Sequence, residues 1–282
     1  MKLKAFRGKK LPLTNDGALE LFPVGAGSAF AKTLYQNNYL IIKGDTHVMI
    51  DCGTRAPEAL YRLGLSVTDI STWLITHSHA DHIGGLEEVM LMNRYFVRKK
   101  PTVIITPEYQ ETLWNNSLRG GNEPNERHDG HGLGFEDYWN VIRPTPVPGQ
   151  PRDTRSVDIG SLNIKIVRTK HFPDQSTSWE DSAYSVGLII DDRILFSGDT
   201  RFDPELLSSY DDLYSFEAIF HDVQFFTGGV HPSLDEISTL PAEMKRRMIL
   251  THYPESWADQ EKRVRKEGFI GFARQWSFHR FD

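Results

Sequence analysis

From Thr76 to Gly85 the sequence reads Thr-His-Ser-His-Ala-Asp-His-Ile-Gly-Gly, placing three histidines and one aspartate in the six positions 77 to 82. The apolar run Trp73-Leu74-Ile75 precedes it. If that run is a strand, side chains two apart point to one side, so His77 and His79 share a target. Gly84-Gly85 ends the pattern and an amphipathic stretch (Leu86, Val89, Met90) follows, so Asp81 and His82 fall in a turn and aim elsewhere. Two neighbouring pairs aimed at two neighbouring points are what a dinuclear metal site needs. Imidazole suits zinc and other late divalent ions, and a carboxylate widens the choice toward manganese and iron. A histidine-rich surface loop is the alternative, and the apolar run and glycine pair bracketing the motif argue against it.

Several other apolar runs end in residues of the same chemistry. The alternating run 162–167 leads to Lys170-His171-Phe172-Pro173. Runs 183–190 and 193–196 read as a hairpin through Asp191-Asp192 and open into Ser197-Gly198-Asp199-Thr200. The run Ile219-Phe220-His221-Asp222 ends on a carboxylate, and 248–250 leads to Thr251-His252-Tyr253-Pro254. Strand ends hold loops rigidly enough to position chemistry, so His171, Asp199 and His252 join the first four as ligand candidates.

The remaining elements frame these positions. Residues 19–24 run apolar into Gly25-Ala26-Gly27-Ser28, a turn. Segments 39–43 and 47–51 form a hairpin at Gly44-Asp45, in which His47 reads as structural. A helix is expected over 57–63 with Gly64 as its stop, a strand over 101–106 and helical character over 108–118. Further helices are expected over 234–237, 242–247 and 257–267, before an aromatic tail (Phe269, Phe272, Trp276, Phe278, Phe281). Between 115 and 150 the texture changes to Asn, Gly and Pro, with His128 and His131 embedded. Loops longer than about 15 residues are usually functional lids or disordered segments. Phe135, Tyr138 and Trp139 want to pack, so this stretch reads as a lid or dimer-contact insertion, with Tyr138 or Trp139 candidates to stack on a substrate base or, singly, to fill the core.

Composition limits the function classes. The 282 residues are 39% hydrophobic and 25% charged, with a formal charge of −6, which disfavours a protein-wide grip on nucleic acid. Cys52 is the only cysteine, so a disulfide framework within the chain is excluded and a cytoplasmic location is expected. No apolar run approaches the roughly 18 residues of a membrane span. The basic clusters Arg98-Lys99-Lys100 and Lys245-Arg246-Arg247 read as solvated helix faces.

The string His-x-His-x-Asp-His resembles the metallo-β-lactamase superfamily of metallohydrolases. That resemblance implies an α/β fold, an αβ/βα four-layer sandwich of two mixed β-sheets flanked by helices, as one domain over 1–282 with the insertion around 115–150. Carried over by position, it implies that His77, His79 and His171 hold one metal, that Asp81, His82 and His252 hold a second, and that Asp199 bridges them. Two divalent ions, Zn2+ or else Mn2+, would supply a bridging hydroxide for attack. That chemistry serves phosphodiesters and also amides, thioesters and lactones.

A second group chooses the branch. His221-Asp222 with Phe225-Phe226, followed by His231-Pro232-Ser233, resembles the ribonuclease Z and phosphodiesterase branch, in which an acidic residue and a histidine in these places donate a proton to the leaving oxygen. The branch usually has Glu where this chain has Asp222. The tRNA-gripping arm of ribonuclease Z would fall between His171 and Asp199, where this chain has only 27 residues, 172–198, already used by a hairpin. The insertion at 115–150, Thr227-Gly228-Gly229-Val230-His231 and the aromatic tail are instead similar to cyclic-nucleotide phosphodiesterases that include the anti-Pycsar proteins. The resemblance implies a homodimer hydrolysing small, 3′,5′-cyclic nucleotides, with Asp81, Asp222 and His231 catalytic, and no membrane or stable nucleic-acid partner. An RNA-processing nuclease and a lactonase-type hydrolase are the alternatives.

Overall fold

The computed structural model describes all 282 residues, Met1–Asp282, which fall into two compact units. The first comprises Lys2–Gly25, Asn38–Pro144 and Trp276–Asp282; the second comprises Ala26–Asn37 and Thr145–Gln275, with Met1 assigned to it. No helix is long and apolar enough to cross a membrane.

The first unit is built on an eight-stranded mixed sheet. Its strands, in spatial order, are Lys2–Ala5, Ser277–Phe281, Leu19–Pro23, Tyr39–Lys43, Thr46–Ile50, Thr72–Leu74, Thr102–Ile104 and Asn140–Ile142. Pairing is antiparallel as far as the expected hairpin 39–50 and parallel beyond it. Parallel neighbours need crossover connections, and helices Ala56–Arg62 and Leu86–Leu91 lie in two of them. The second of these helices buries Leu86, Val89 and Met90, the apolar face expected from its spacing.

The second unit repeats this plan. Its sheet runs Thr145–Pro146, Thr154–Ile159, Leu162–Arg168, Val186–Ile190, Ile194–Phe196, Ala218–Asp222, Met248–Thr251 and Gly271–Phe272. The first five are antiparallel in sequence, and the last four pair in parallel, with helices Pro204–Tyr214, Leu234–Ser238 and Trp257–Lys266 in the connections. The expected hairpin closes through Asp191 and Asp192, both at positive φ (51° and 58°), the conformation of a type I′ turn. Central strands such as Ala218–Asp222 are buried at every residue, as parallel strands covered on both faces are.

The stretch 115–150 carries short elements of its own, and the helical character expected over 108–118 is present. The helix Pro107–Leu113 continues through a wider turn, Trp114–Leu118, into Arg119–Asn122. Leu113 and Leu118 are buried, and Asn122 Nδ2 donates to the Leu118 carbonyl at 2.7 Å. A short hairpin (Arg127–His128, His131–Gly132), a helix turn (Phe135–Tyr138) and the edge strand Asn140–Ile142 complete it. Arg94 fastens this stretch with two bonds to Glu126, at 2.6 and 2.9 Å, and one to the Asp137 carbonyl. Hydrogen bonding from Arg94 holds the Glu126 carboxyl at about 2.

Candidate active site

In the first unit, strand Thr72–Leu74 ends before the motif, and His77 and His79 follow it in extended chain. His77 Nε2 lies 2.9 Å from His79 Nδ1, so the two rings converge as the period-two spacing requires. Asp81 and His82 do not lie in an open turn. They sit in a short helix, Ala80–Ile83, with Asp81 Oδ2 3.3 Å from His82 Nε2. Gly84 and Gly85 let the end of that helix press on the residues that follow strand Thr46–Ile50: Gly85 N donates to the Cys52 carbonyl at 2.8 Å, and a Cβ on Gly85 would lie 2.8 Å from Cys52 Sγ.

A carboxylate behind this pair sets its orientation. Asp51, at the end of strand Thr46–Ile50, accepts from Thr76 N at 2.7 Å and Thr76 Oγ1 at 2.8 Å, and its Oδ2 lies 2.7 Å from His82 Nδ1. The Thr76 hydroxyl, whose hydrogen points to Asp51, accepts from His77 Nδ1 at 3.1 Å. In both His77 and His82 the Nδ1 edge is thereby turned to the protein and Nε2 to the opposite side, the arrangement in which metal-binding histidines are held. Burial pushes the Asp51 pKa up, against the lowering effect of His82.

In the second unit, His171 follows strand Leu162–Arg168 and donates from Nδ1 to the Val230 carbonyl at 2.9 Å. Its Nε2 lies 3.9 Å from Asp199 Oδ2, and His252 Nε2 lies 3.3 Å from the same oxygen. One carboxylate thus faces two imidazoles. Asp199 is aimed by Gly198, whose φ of +58° and close approach to the Val186 carbonyl leave no room for a side chain. His252 carries a φ of +53°, and Asp51 of the first unit +64°, left-handed conformations that non-glycine residues rarely adopt and that concentrate at functional sites.

Asp222 ends the buried strand Ala218–Asp222, and His231 lies on the following loop. His231 Nδ1 is 2.9 Å from Asp222 Oδ2, which also accepts from Thr200 N at 3.2 Å. Burial raises the Asp222 pKa, but hydrogen bonds from His221 and His231 outweigh it and hold the carboxyl below its ordinary value. The His231 ring stacks on His252 at 4.5 Å and tilts against His171 at 5.0 Å. His171, Asp199 and His231 offer ligand-type atoms within 4.8 Å of one another.

Other candidates are placed differently. His128 and His131 pair across an exposed hairpin, and His128 Nε2 meets Glu126 at 3.2 Å. Tyr138 and Trp139 are buried, and the Tyr138 hydroxyl donates to the Asn122 carbonyl at 2.8 Å, so they fill the core and present no stacking face. His47 accepts from Ser71 N at 3.0 Å, a structural role.

Residues 19–279 match the family model described as Anti-Pycsar protein Apyc1. The chain belongs to this family. Anti-Pycsar protein Apyc1 of Paenibacillus sp. (strain J14) is 36% identical over 260 residues, covering 92% of this chain and 97% of that one. The Anti-Pycsar protein Apyc1 of Bacillus phage 010DV004 is 38% identical over 266 residues, covering 91% and 96%. The solved metallo-β-lactamase fold protein YhfI from Bacillus subtilis is similar with a TM-score of 0.61 at 13% identity, covering 92% of this chain and 95% of that one. This anti-Pycsar family member therefore has the metallo-β-lactamase fold, with two large mixed sheets and their helices.

Sequence reasoning did not single out Asp51, Thr76 or the Val230 carbonyl in this anti-Pycsar chain. Asp51 could have been found as a carboxylate at a strand end, the signal that marked Asp222. The carbonyl carries no sequence signal.

Proposed function

We propose that this chain is a metal-dependent phosphodiesterase that opens the phosphodiester of a small 3′,5′-cyclic nucleotide. The observation that carries the reading is the buried Asp222 carboxylate bonded to His231 Nδ1, with the His231 ring stacked on the ligand candidate His252. Membership of the anti-Pycsar family supports a phosphodiesterase-like function, and the cyclic substrate is what the sequence resemblance implies.

The resemblance assigns His77, His79 and His171 to one divalent ion, Asp81, His82 and His252 to the other, and Asp199 to both, and within each unit the donor chemistry suits such ions: His77, His79, Asp81 and His82 in the first, His171, Asp199 and His252 in the second. The ligand candidates are imidazoles and carboxylates, almost all of them buried. The Nδ1 atoms of His77, His82 and His171 are engaged by Thr76, Asp51 and Val230, which leaves Nε2 as the coordinating atom of each. Divalent ions held by these residues would lower the pKa of water toward neutrality and stabilise charge on phosphate oxygens.

The chain's own residues supply the proton. A departing 3′ oxygen leaves poorly as an alkoxide, and a positioned acid contributes about 10²–10⁴-fold. Asp222 fixes the His231 tautomer and stabilises the imidazolium, as a carboxylate does behind a catalytic histidine. His231 then holds its transferable proton on Nε2, the ring atom away from Asp222, and gives it to the 3′ oxygen.

The test is turnover by the purified protein, with Zn2+ or Mn2+, of cyclic purine and pyrimidine mononucleotides, a linear dinucleotide, a precursor tRNA and an acyl lactone. Hydrolysis of the cyclic mononucleotides alone is the expected result. Cleavage of the tRNA with the cyclic compounds untouched overturns the assignment.

A further inference from the structure

Two phenylalanines of the second unit stand out as exposed: Phe30 at 85% and Phe226 at 65%. Exposed aromatic surface is unfavourable in water, and aromatics gathered on one concave surface mark a binding site. Both side chains line a cavity of about 380 Å³ whose wall also carries His231 and His252. Ser28 and Gln224 are polar members of the same lining.

Neither phenylalanine rides on a loose loop. Gln224 N donates to the Pro232 carbonyl at 2.9 Å and Leu234 N to the Gln224 carbonyl at 2.9 Å, closing the neck of the loop that carries Phe226 and His231. Gln224 Nε2 crosses that loop to the Gly228 carbonyl. Phe30 sits in a turn in which Ala31 N donates to the Ser28 carbonyl at 3.1 Å, and Ser28 N donates to the Tyr253 carbonyl at 3.0 Å, one residue past His252. The Glu255 carboxylate accepts from Lys32 N and Thr33 N. Each exposed ring is therefore pinned to the segment that supplies a candidate site histidine.

We propose that Phe30 and Phe226 form the nucleobase subsite, stacking on the base while Ser28 and Gln224 meet its polar edge. This rests on the phosphodiesterase reading and names the residues that recognise its substrate. A nucleobase is the planar, π-faced group with a hydrogen-bonding rim that such a cavity suits, and stacking tolerates any base. Placed there, the base would sit beside His231, the residue assigned to protonate the leaving oxygen.

The deciding experiment is equilibrium binding of a nucleoside 5′-monophosphate and of ribose 5-phosphate to the wild type, Phe30→Ala, Phe226→Ala and Phe226→Trp, all loaded with metal. Each alanine variant is expected to weaken nucleotide binding roughly ten-fold and to leave ribose 5-phosphate unaffected, while Phe226→Trp retains nucleotide binding. In turnover of a 3′,5′-cyclic nucleotide, the alanine variants raise KM by a similar factor with a far smaller change in kcat. Base-dependent binding lost in the variants of a protein that hydrolyses no cyclic nucleotide would retire the reaction and keep the subsite. Equal loss for both ligands, no loss for either, or a changed oligomeric state with base binding intact would overturn the subsite.

Discussion

His231 Nδ1 lies 2.9 Å from Asp222 Oδ2, and the two residues are joined by a loop whose neck is closed at Gln224. The imidazole is fixed at once by a buried carboxylate and by the backbone that carries it. Asp222→Asn keeps the shape and removes the charge that stabilises the imidazolium. kcat is expected to fall by about 10²–10⁴-fold with the metal content per chain unchanged, measured by steady-state kinetics alongside metal analysis. Unaltered turnover with metals bound would remove Asp222 from the mechanism.

Asp51 orients His82 from behind and holds the Thr76 hydroxyl that receives His77 Nδ1. Asp51→Asn is expected to weaken metal binding by about 10–100-fold, the usual cost of losing such a partner. Titration against a chelator of known affinity measures it, and an unchanged metal affinity would reduce Asp51 to a packing role.

Asp203 pairs with Arg152 through two bonds, at 2.7 and 2.9 Å, with both side chains nearly buried, and also caps helix Pro204–Tyr214 by accepting from Leu206 N. Burial pushes the Asp203 pKa up, but Arg152 outweighs it and the folded value lies below the ordinary one. A depressed folded value means stability that is present above the unfolded carboxylate pKa of about 3.9 and is lost as pH falls through the folded value. Asp203→Asn leaves Arg152 buried without its counter-charge and is expected to cost about 3–5 kcal/mol at neutral pH. Thermal melts across pH 2 to 7, roughly the span over which carboxylates titrate, should show a low Tm and a flatter acid limb for the variant.

Trp139 is a core residue that the sequence also offered as a base-stacking one. Trp139→Ala is expected to destabilise the fold by about 3–5 kcal/mol without changing the preference among cyclic nucleotides. Denaturant melts and a substrate panel separate the two effects. A shift in base preference at unchanged stability would return Trp139 to the binding site.

The ligand-type residues were legible in the sequence because polar side chains at the exits of apolar strands break a pattern, as at His171, Asp199 and His252. Asp51 was not, because its meaning depends on His82, 31 positions away. Aromatic residue type alone does not separate core from surface. Tyr138 and Trp139 lie in a turn-rich stretch yet are buried, while Phe30 and Phe226 are of a core-forming type yet exposed; exposure is a tertiary property that a local window does not contain. Helical character was legible as far as Leu118; its continuation through Arg119–Asn122 was not, because Gly120-Gly121 weakens helical propensity while buried Leu113 and Leu118 anchor the helix that leads into it.

The strand Ser277–Phe281 pairs on one side with Lys2–Ala5 and on the other with Leu19–Pro23. During translation, the unit that carries His77 to His82 therefore keeps Leu19–Pro23 as an open edge until Ser277–Phe281 has emerged. Every segment of the other unit has emerged by then. Maturation in the cell would run against the order of the sequence, and the waiting edge is where a stalled nascent chain of this protein is most exposed to mispairing.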